Sequence, residues 1–516
     1  MSRHLVVVAL ACAWLSAGER AAAQGPAEGP KPNIVIILAD DLGHGDPQCY
    51  QAESKIPTPN IDRLASQGMR FTDAHTPASV CSPTRYALLT GRYAWRTRLK
   101  SGVLGPYSAP LIEPDRLTLA KMLKAHGYTT ACIGKWHLGM QWATKSPDVE
   151  LPPLWDRKFD QSQIDLAGRI TAGPLTAGFD SYFGTAVPNF PPYCFIENDR
   201  VLGKIPDRPK PDDLYGNPGL MQEGWDLHRI LPSLKDRAVA FLEAQAKTGR
   251  PFFLYMPLTA PHTPIVPNEP FLGRSRAGDY GDLVAEVDGI VGAVIDALKR
   301  SGAADNTLLV FTSDNGSPAR AGDPHIRGKD WAATGAVTRM FGHNPNAPLR
   351  GMKADVFEGG HRVPLVVRWP GEVEAGSTNR QIVCLVDWMA TIAAIVGHEL
   401  PDDAAEDSYD LLPTLRDPSR VVRSDVVHHS AGGMFAIRQG DWKLIAGRGS
   451  GGWTRVKAAK EDPPGQLYHL ADDPQEQNNL YNQRPEIVRQ LTERLQRYRQ
   501  QGRSRPAGRR SAGTPF

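Results

Sequence analysis

The chain is expected to adopt an α/β fold: a large mixed, mostly parallel sheet flanked by helices on both faces, then a small C-terminal antiparallel sheet packed with a helix. Three observations point to it. Residues 33–38, 251–258 and 307–312 are near-continuous apolar runs, the mark of strands buried on both faces. Residues 233–246 and 280–301 between them carry helical spacing. After Gly397 the pattern turns to short strands at 426–429, 435–439, 442–445 and 466–470, followed by a helix from 485 to about 498.

The bounds are set by size and composition. With 516 residues, 41% hydrophobic, the chain can bury one large core and a smaller one. Its 59 basic and 56 acidic residues nearly cancel, so no overall field calls for nucleic acid or an acidic membrane as partner. Residues 1–24 read as a secretory leader: Arg3 and His4, an apolar run over 5–15, and Ala21-Ala22-Ala23 as the cleavage site. That run is too short to span a bilayer, and no later segment does so. The protein is therefore expected to be exported, to the periplasm or outside the cell. The expected layout is a leader at 1–24, a large α/β domain at 25–397, an α+β subdomain at 398–500 and a disordered basic tail at 501–516. Once Cys12 leaves with the leader, five cysteines remain. An odd number in an exported chain invites a reactive or modified one.

In chain order, the first strand ends in Asp40 and Asp41. Paired acids beyond a core strand are costly unless neutralised, and the carboxyl edge of an α/β sheet is where ligands bind, so a bound cation is expected. Residues 60–67 read as a short helix and 69–74 as a strand leading to Cys81. Cys81 stands just before a helical pattern. Pro83 suits a first turn, Leu88 and Leu89 face a core, and Arg85 lies one turn on. A helix start favours negative charge at that sulfur.

Residues 117–126 have helical spacing, and a strand at 128–133 delivers Lys135 and His137, an anion holder and a proton carrier. The loop-rich stretch 178–199, with Phe190 and Tyr193, reads as a pocket wall. Ser233 is placed as the N-cap of its helix, and the 251–258 strand leads to His262 between prolines. The 307–312 strand ends in Asp314 and Asn315, one carboxylate and one amide oxygen, both hard ligands. Residues 317–348, with His325, Trp331 and His343, have little periodicity and read as a specificity loop. Lys353 follows, then a strand at 364–369. Arg503, Arg505, Arg509 and Arg510 sit in the expected disordered tail.

Cys81-Ser82-Pro83-Thr84-Arg85, continued by Leu89-Thr90-Gly91-Arg92, resembles the signature of the sulfatase family, within the alkaline phosphatase superfamily. Asp40-Asp41-Leu42-Gly43, Gly134-Lys135-Trp136-His137-Leu138-Gly139, the Pro261-His262 segment, Ser313-Asp314-Asn315-Gly316 and Lys353 fall at the family's other motifs. Gly45-Asp46-Pro47 departs slightly from the commoner wording. The resemblance covers nearly the whole mature chain.

It implies a sulfuric ester hydrolase in which a maturation enzyme oxidises Cys81 to formylglycine (3-oxoalanine), whose hydrated aldehyde attacks sulfur. It implies an all-oxygen metal site of Asp40, Asp41, Asp314, Asn315 and residue 81, holding calcium, with magnesium as the alternative. Arg85, Lys135 and Lys353 would offset charge on the ester oxygens, His262 would protonate the leaving alcohol, and His137 would take a proton as sulfate departs. The implied substrate is a sulfated carbohydrate. The wording Tyr193-Cys194-Phe195-Ile196-Glu197-Asn198 resembles bacterial sulfatases acting on 6-sulfated N-acetylgalactosamine or galactose units, with small aryl sulfates also turned over. Two rivals stand beside this: a phosphate or phosphonate ester hydrolase of the same superfamily, and a non-catalytic binder of sulfated glycans.

Overall fold

The computed structural model describes residues 31–205, 210, 216–457 and 459–506. The expected leader, and Arg509 and Arg510, lie outside them. At the centre is the strand Asn33–Asp40. It pairs in parallel with Thr307–Ser313 on one side and Phe252–Pro261 on the other. Phe252–Pro261 pairs in parallel with Thr129–Lys135, which pairs in parallel with Ser181–Thr185. Leu365–Arg368 joins Thr307–Ser313 antiparallel. The described sheet has ten strands and is mixed but parallel through its middle, as expected.

The central strand is buried because its alternate residues enter two cores. Ile34, Ile36 and Leu38 pack on one face with helices Cys81–Thr90, Leu119–Ala125 and Trp388–Val396. Val35, Ile37 and Ala39 pack on the other with Pro59–Ser66, Ile230–Ala246 and Gly278–Arg300. Each fully buried Val or Ile contributes about 1.5–3 kcal/mol relative to exposure, so a one-residue slip would disrupt both layers.

The small sheet, Asp425–His429, Phe435–Gln439, Trp442–Ile445 and Gln466–His469, is antiparallel throughout, with helix Pro485–Gln500 against it. It belongs to the same compact unit as the large sheet, Pro32–Phe516. Lys443 ties the two together, reaching Glu358 at 3.0 Å and Glu476 at 2.8 Å. No described helix is long and apolar enough to cross a membrane.

Several boundaries move. Ser233 is not a cap: the helix begins at Ile230, because Ile230 and Leu231 are buried and Pro232 is tolerated in a first turn. The strand expected at 69–74 is two, Met69–Phe71 and Ala74–His75, pairing in different sheets. The loop at 317–348 contains three short helices, Pro324–Arg327, Lys329–Ala332 and Ala336–Phe341. The start of the expected disordered tail is held: the Ser504 hydroxyl donates to Asp407 at 2.8 Å and Tyr409 donates to the Ser504 carbonyl at 2.9 Å.

Candidate active site

Four neighbouring parallel strands, in the order Thr307–Ser313, Asn33–Asp40, Phe252–Pro261, Thr129–Lys135, end at one edge of the sheet. Their ends carry Asp314, Asp40 and Asp41, His262, and Lys135. Cys81 meets them as the first residue of its helix. That helix is buried along its whole length and stops at Gly91, whose φ of 67° suits glycine. Asp41 and His137 take φ of 70° and 52°. Such a conformation costs a non-glycine residue on the order of 1–3 kcal/mol. For His137 it is the turn just past the strand, not strand alternation, that sets the side chain's direction.

The Cys81 sulfur lies 3.6 Å from Asp40 Oδ1, 3.5 Å from Lys353 Nζ and 4.0 Å from Lys135 Nζ. Lys135 donates to Asp40 Oδ2 at 2.7 Å, and Lys353 to Asp41 Oδ1 at 2.6 Å. Asn315 Nδ2 donates to the same Asp41 oxygen at 2.8 Å, and the Asp41 amide donates to Asp314 Oδ1 at 3.2 Å. Burial alone would raise the Asp40 carboxyl. Lys135, then His262 and Arg85, outweigh it and hold Asp40 well below the usual range. Burial, with Asp40 beside it, pushes Asp314 up to about 6 despite Arg85.

These residues fit a hard cation. Three carboxylates converge, one driving another toward protonation, and the buried Asn315 Oδ1 has no hydrogen-bond partner. Ligand atoms of Asp40, Asp41, Cys81 and His262 lie within 4.8 Å of one another. An oxygen-dominated set of this kind suits calcium or magnesium rather than a thiolate zinc site.

The sulfur itself is a poor nucleophile. Burial first, then Asp314, push the thiol up to about 12, overriding Lys135 and Lys353. A thiolate is therefore not the reactive species at neutral pH.

Arg85 sits differently from its expected place. Its Nε and Nη2 both donate to Asp314 Oδ2, at 3.0 and 2.7 Å, and Nη1 donates to the Lys135 carbonyl at 2.8 Å. It is fully buried and does not line the pocket, so it positions Asp314 and Lys135 rather than meeting a ligand. Lys135 is likewise fully buried behind Asp40.

His137 and His262 do reach the pocket. His137 Nε2 is 2.9 Å from the Leu104 carbonyl, which makes it the N–H nitrogen, and Nδ1 is left without a partner. Burial, then Lys135 and Arg85, hold the ring well below the usual histidine range. His262 Nδ1 is 2.6 Å from the Thr263 carbonyl, leaving Nε2 toward Asp41 Oδ2 at 3.8 Å. Burial and Lys353 lower it to about 4.

The pocket above Cys81 has a volume of about 460 Å3. Val187, Asn189 and Phe190 come from the expected wall, but Tyr193 is buried in packing. The residues singled out at 317–348 do not reach it. His343 is buried against Asp46 at 2.9 Å, and Trp331 packs edge-on against Phe341. Pro318 and Arg320, within the stretch expected to be a specificity loop, do line the pocket, and sequence reasoning missed Arg157 and Trp453, which line it too. Arg157 and Trp453 stand on irregular connections where periodicity carries no signal.

The chain matches known families and proteins over nearly all its length. The model of the family described as sulfatase matches residues 32–398, and one described as N-sulphoglucosamine sulphohydrolase, C-terminal, matches residues 352–501. The chain is 34% identical over 504 residues to an N-acetylgalactosamine-6-O-sulfatase of Bacteroides thetaiotaomicron, covering 90% of this chain and 93% of that one. It is 34% identical to human arylsulfatase A, covering 89% and 85%. A solved chain from work on the metabolism of multiple glycosaminoglycans by Bacteroides thetaiotaomicron superposes with a TM-score of 0.78 at 31% identity, over 92% of this chain and 100% of that one.

Proposed function

The chain belongs to the sulfatase family and hydrolyses sulfate esters, and from that premise we propose that it acts outside the cytoplasm on sulfated carbohydrate, with 6-sulfated N-acetylgalactosamine or galactose units as its substrates. One observation carries the reading: the ends of four adjacent parallel strands converge on position 81. The similarity to the Bacteroides N-acetylgalactosamine-6-O-sulfatase supports the substrate class. The leader-like residues 1–24 support export.

Cys81 is the residue converted to formylglycine, which when present supplies the hydrated aldehyde that a thiol pushed up to about 12 cannot replace. Asp40, Asp41, Asp314 and Asn315 Oδ1 would hold a calcium or magnesium ion, which would supply positive charge to the ester oxygens.

The remaining work falls to this chain's side chains. Lys353 lines the pocket 3.5 Å from position 81 and holds an ester oxygen. Lys135 fixes Asp40 and adds a cation behind position 81. Arg85 acts through Asp314 and the Lys135 carbonyl. His137 accepts a proton at Nδ1, the nitrogen its bond to Leu104 leaves open. His262 delivers a proton from Nε2 to the leaving oxygen, since Nδ1–H is committed to Thr263. The resting His262 is neutral at pH 7, so the negative charge of a bound ester is what raises it toward protonation.

Sulfate release from a panel of sulfated sugars, beside matched phosphate esters, tests this reading after co-expression with a maturation enzyme. The expected result is fastest release from 6-sulfated galactose-type units. Faster phosphate than sulfate hydrolysis, or hydrolysis of aryl sulfates alone, would count against it.

A further inference from the structure

The pocket above Cys81 is cationic on its walls as well as its floor. Arg157 and Arg320 line it beside Lys353, while Asp41 at the floor is the only carboxylate among the described residues that line it. Asp41 is already answered by Lys353 and Asn315. Among the described residues neither guanidinium takes part in an ion pair, and the buried Arg320 Nε has no acceptor.

Both are nevertheless held in place. Arg157 lies 4.8 Å from the ring centre of Trp155, and Arg320 lies 5.9 Å from that of Trp453. Trp155 packs edge-on against Phe190 at 4.9 Å. An aromatic face positions a guanidinium without neutralising it, so its planar array of N–H donors stays available to an oxyanion. A second chamber of about 150 Å3 continues past this wall and shares Pro106, Trp155, Arg157, Phe190 and Asn217 with the first. The space thus extends beyond what a single sulfate ester group occupies.

We propose that the pocket is built for a sulfated sugar bearing a second anionic group, gripped by Arg157 and Arg320, with the adjoining sugar unit lying along Trp155 into the second chamber. This rests on the sulfatase reading above and narrows its substrate class to a polyanionic glycan. The shared chemistry is an oxyanion that takes paired N–H donors; it is either the carboxylate of a neighbouring uronic acid or a further sulfate.

The test measures kcat and KM for the wild type, Arg157→Ala, Arg320→Ala and the double variant on three esters. These are 4-nitrophenyl sulfate, a disulfated hexosamine, and a disaccharide joining a 6-sulfated hexosamine to a uronic acid. The expected result is a loss in kcat/KM at least about tenfold greater for one of the sugar esters than for the aryl ester, carried by KM, the size of losing a hydrogen bond to a charged group. The loss should shrink in high salt, which screens the wild-type advantage. The sugar arm that suffers most identifies the second anion. Equal losses on all three esters, or none on either sugar, would overturn the proposal. If the wild type released sulfate from none of the three, the sulfatase reading itself would fall.

Discussion

Asp40, Asp41, Asp314 and Asn315 are four hard-ligand donors with more acceptor capacity than the protein itself uses. The lysines at 135 and 353 are committed to Asp40 and Asp41, and Arg85 to Asp314, yet Asn315 Oδ1 stays unsatisfied. The histidines differ from each other in a way that can be measured. The role proposed for His262 is at the leaving group, so its loss should matter only where the leaving oxygen is a poor one. His262→Gln should lower sulfate release from a sugar ester by about 10²–10⁴-fold, the usual contribution of a positioned acid, and from 4-nitrophenyl sulfate far less. Equal losses on both esters would remove His262 from that role. Most motif residues were legible in the sequence because they stand at or just beyond the end of a core strand or at a helix start; Lys353, in a turn, was legible only through the family resemblance. Arg85 was legible as a member of the site but not in its orientation, since spacing does not reveal that Asp314 and a backbone carbonyl consume its donors.

At the scale of elements, close strand packing is what brings the site together. Gly134 immediately precedes Lys135 and takes φ of 143°, and a Cβ added there would meet the Pro257 carbonyl oxygen at 1.8 Å. Backbone cannot yield as a flexible side chain can. Gly134→Ala should cost about 1–3 kcal/mol by overpacking and lower sulfate release by more than its thermal shift alone accounts for, because Lys135 moves with it. Gly127→Ala is the control: its φ is 85°, with no atom within 4 Å of an added Cβ. Similar activity losses in the two variants, at similar thermal shifts, would show that strand spacing does not set the site.

The strands could be read because burial on both faces leaves continuous β-branched runs. The loops could not. Trp453 sits between two strands of the small sheet, and nothing in local pattern places it over a pocket at the ends of strands in the large one. The start of the helix at Ile230 was hidden by Pro232, which reads as a break and is in fact a first-turn residue.

Across the whole molecule, burial of neutral histidines governs how stability depends on pH. Burial, the largest cause in each case, lowers His44, His75, His137, His262, His361, His428 and His429. Below about pH 6.5 the unfolded chain binds protons that the folded chain refuses, so stability falls as pH falls. A ring held far below its unfolded value costs about 0.8 kcal/mol by pH 6. Glu476, pushed up to about 7 by burial, works the other way, as do Asp288 and Asp314 at about 6. Burial also raises Glu286, Asp323, Asp387 and Asp410, but the seven histidines outnumber the three carboxyls that reach about 6 or above. Denaturant midpoints should therefore drop between pH 7.5 and 6; a flat or rising midpoint would mean that the carboxyls dominate. The two-sheet architecture and its order were readable from pattern. The joining of the sheets through Lys443, Glu358 and Glu476 was not, because a buried ion pair leaves no period in the sequence.

The most direct test is the mass of the peptide carrying residue 81, taken from protein whose sulfate release has been measured in the same preparation. The expected result is that release scales with the fraction of position 81 converted to formylglycine and vanishes in Cys81→Ala. Full turnover from protein whose Cys81 remains an intact thiol would contradict the account.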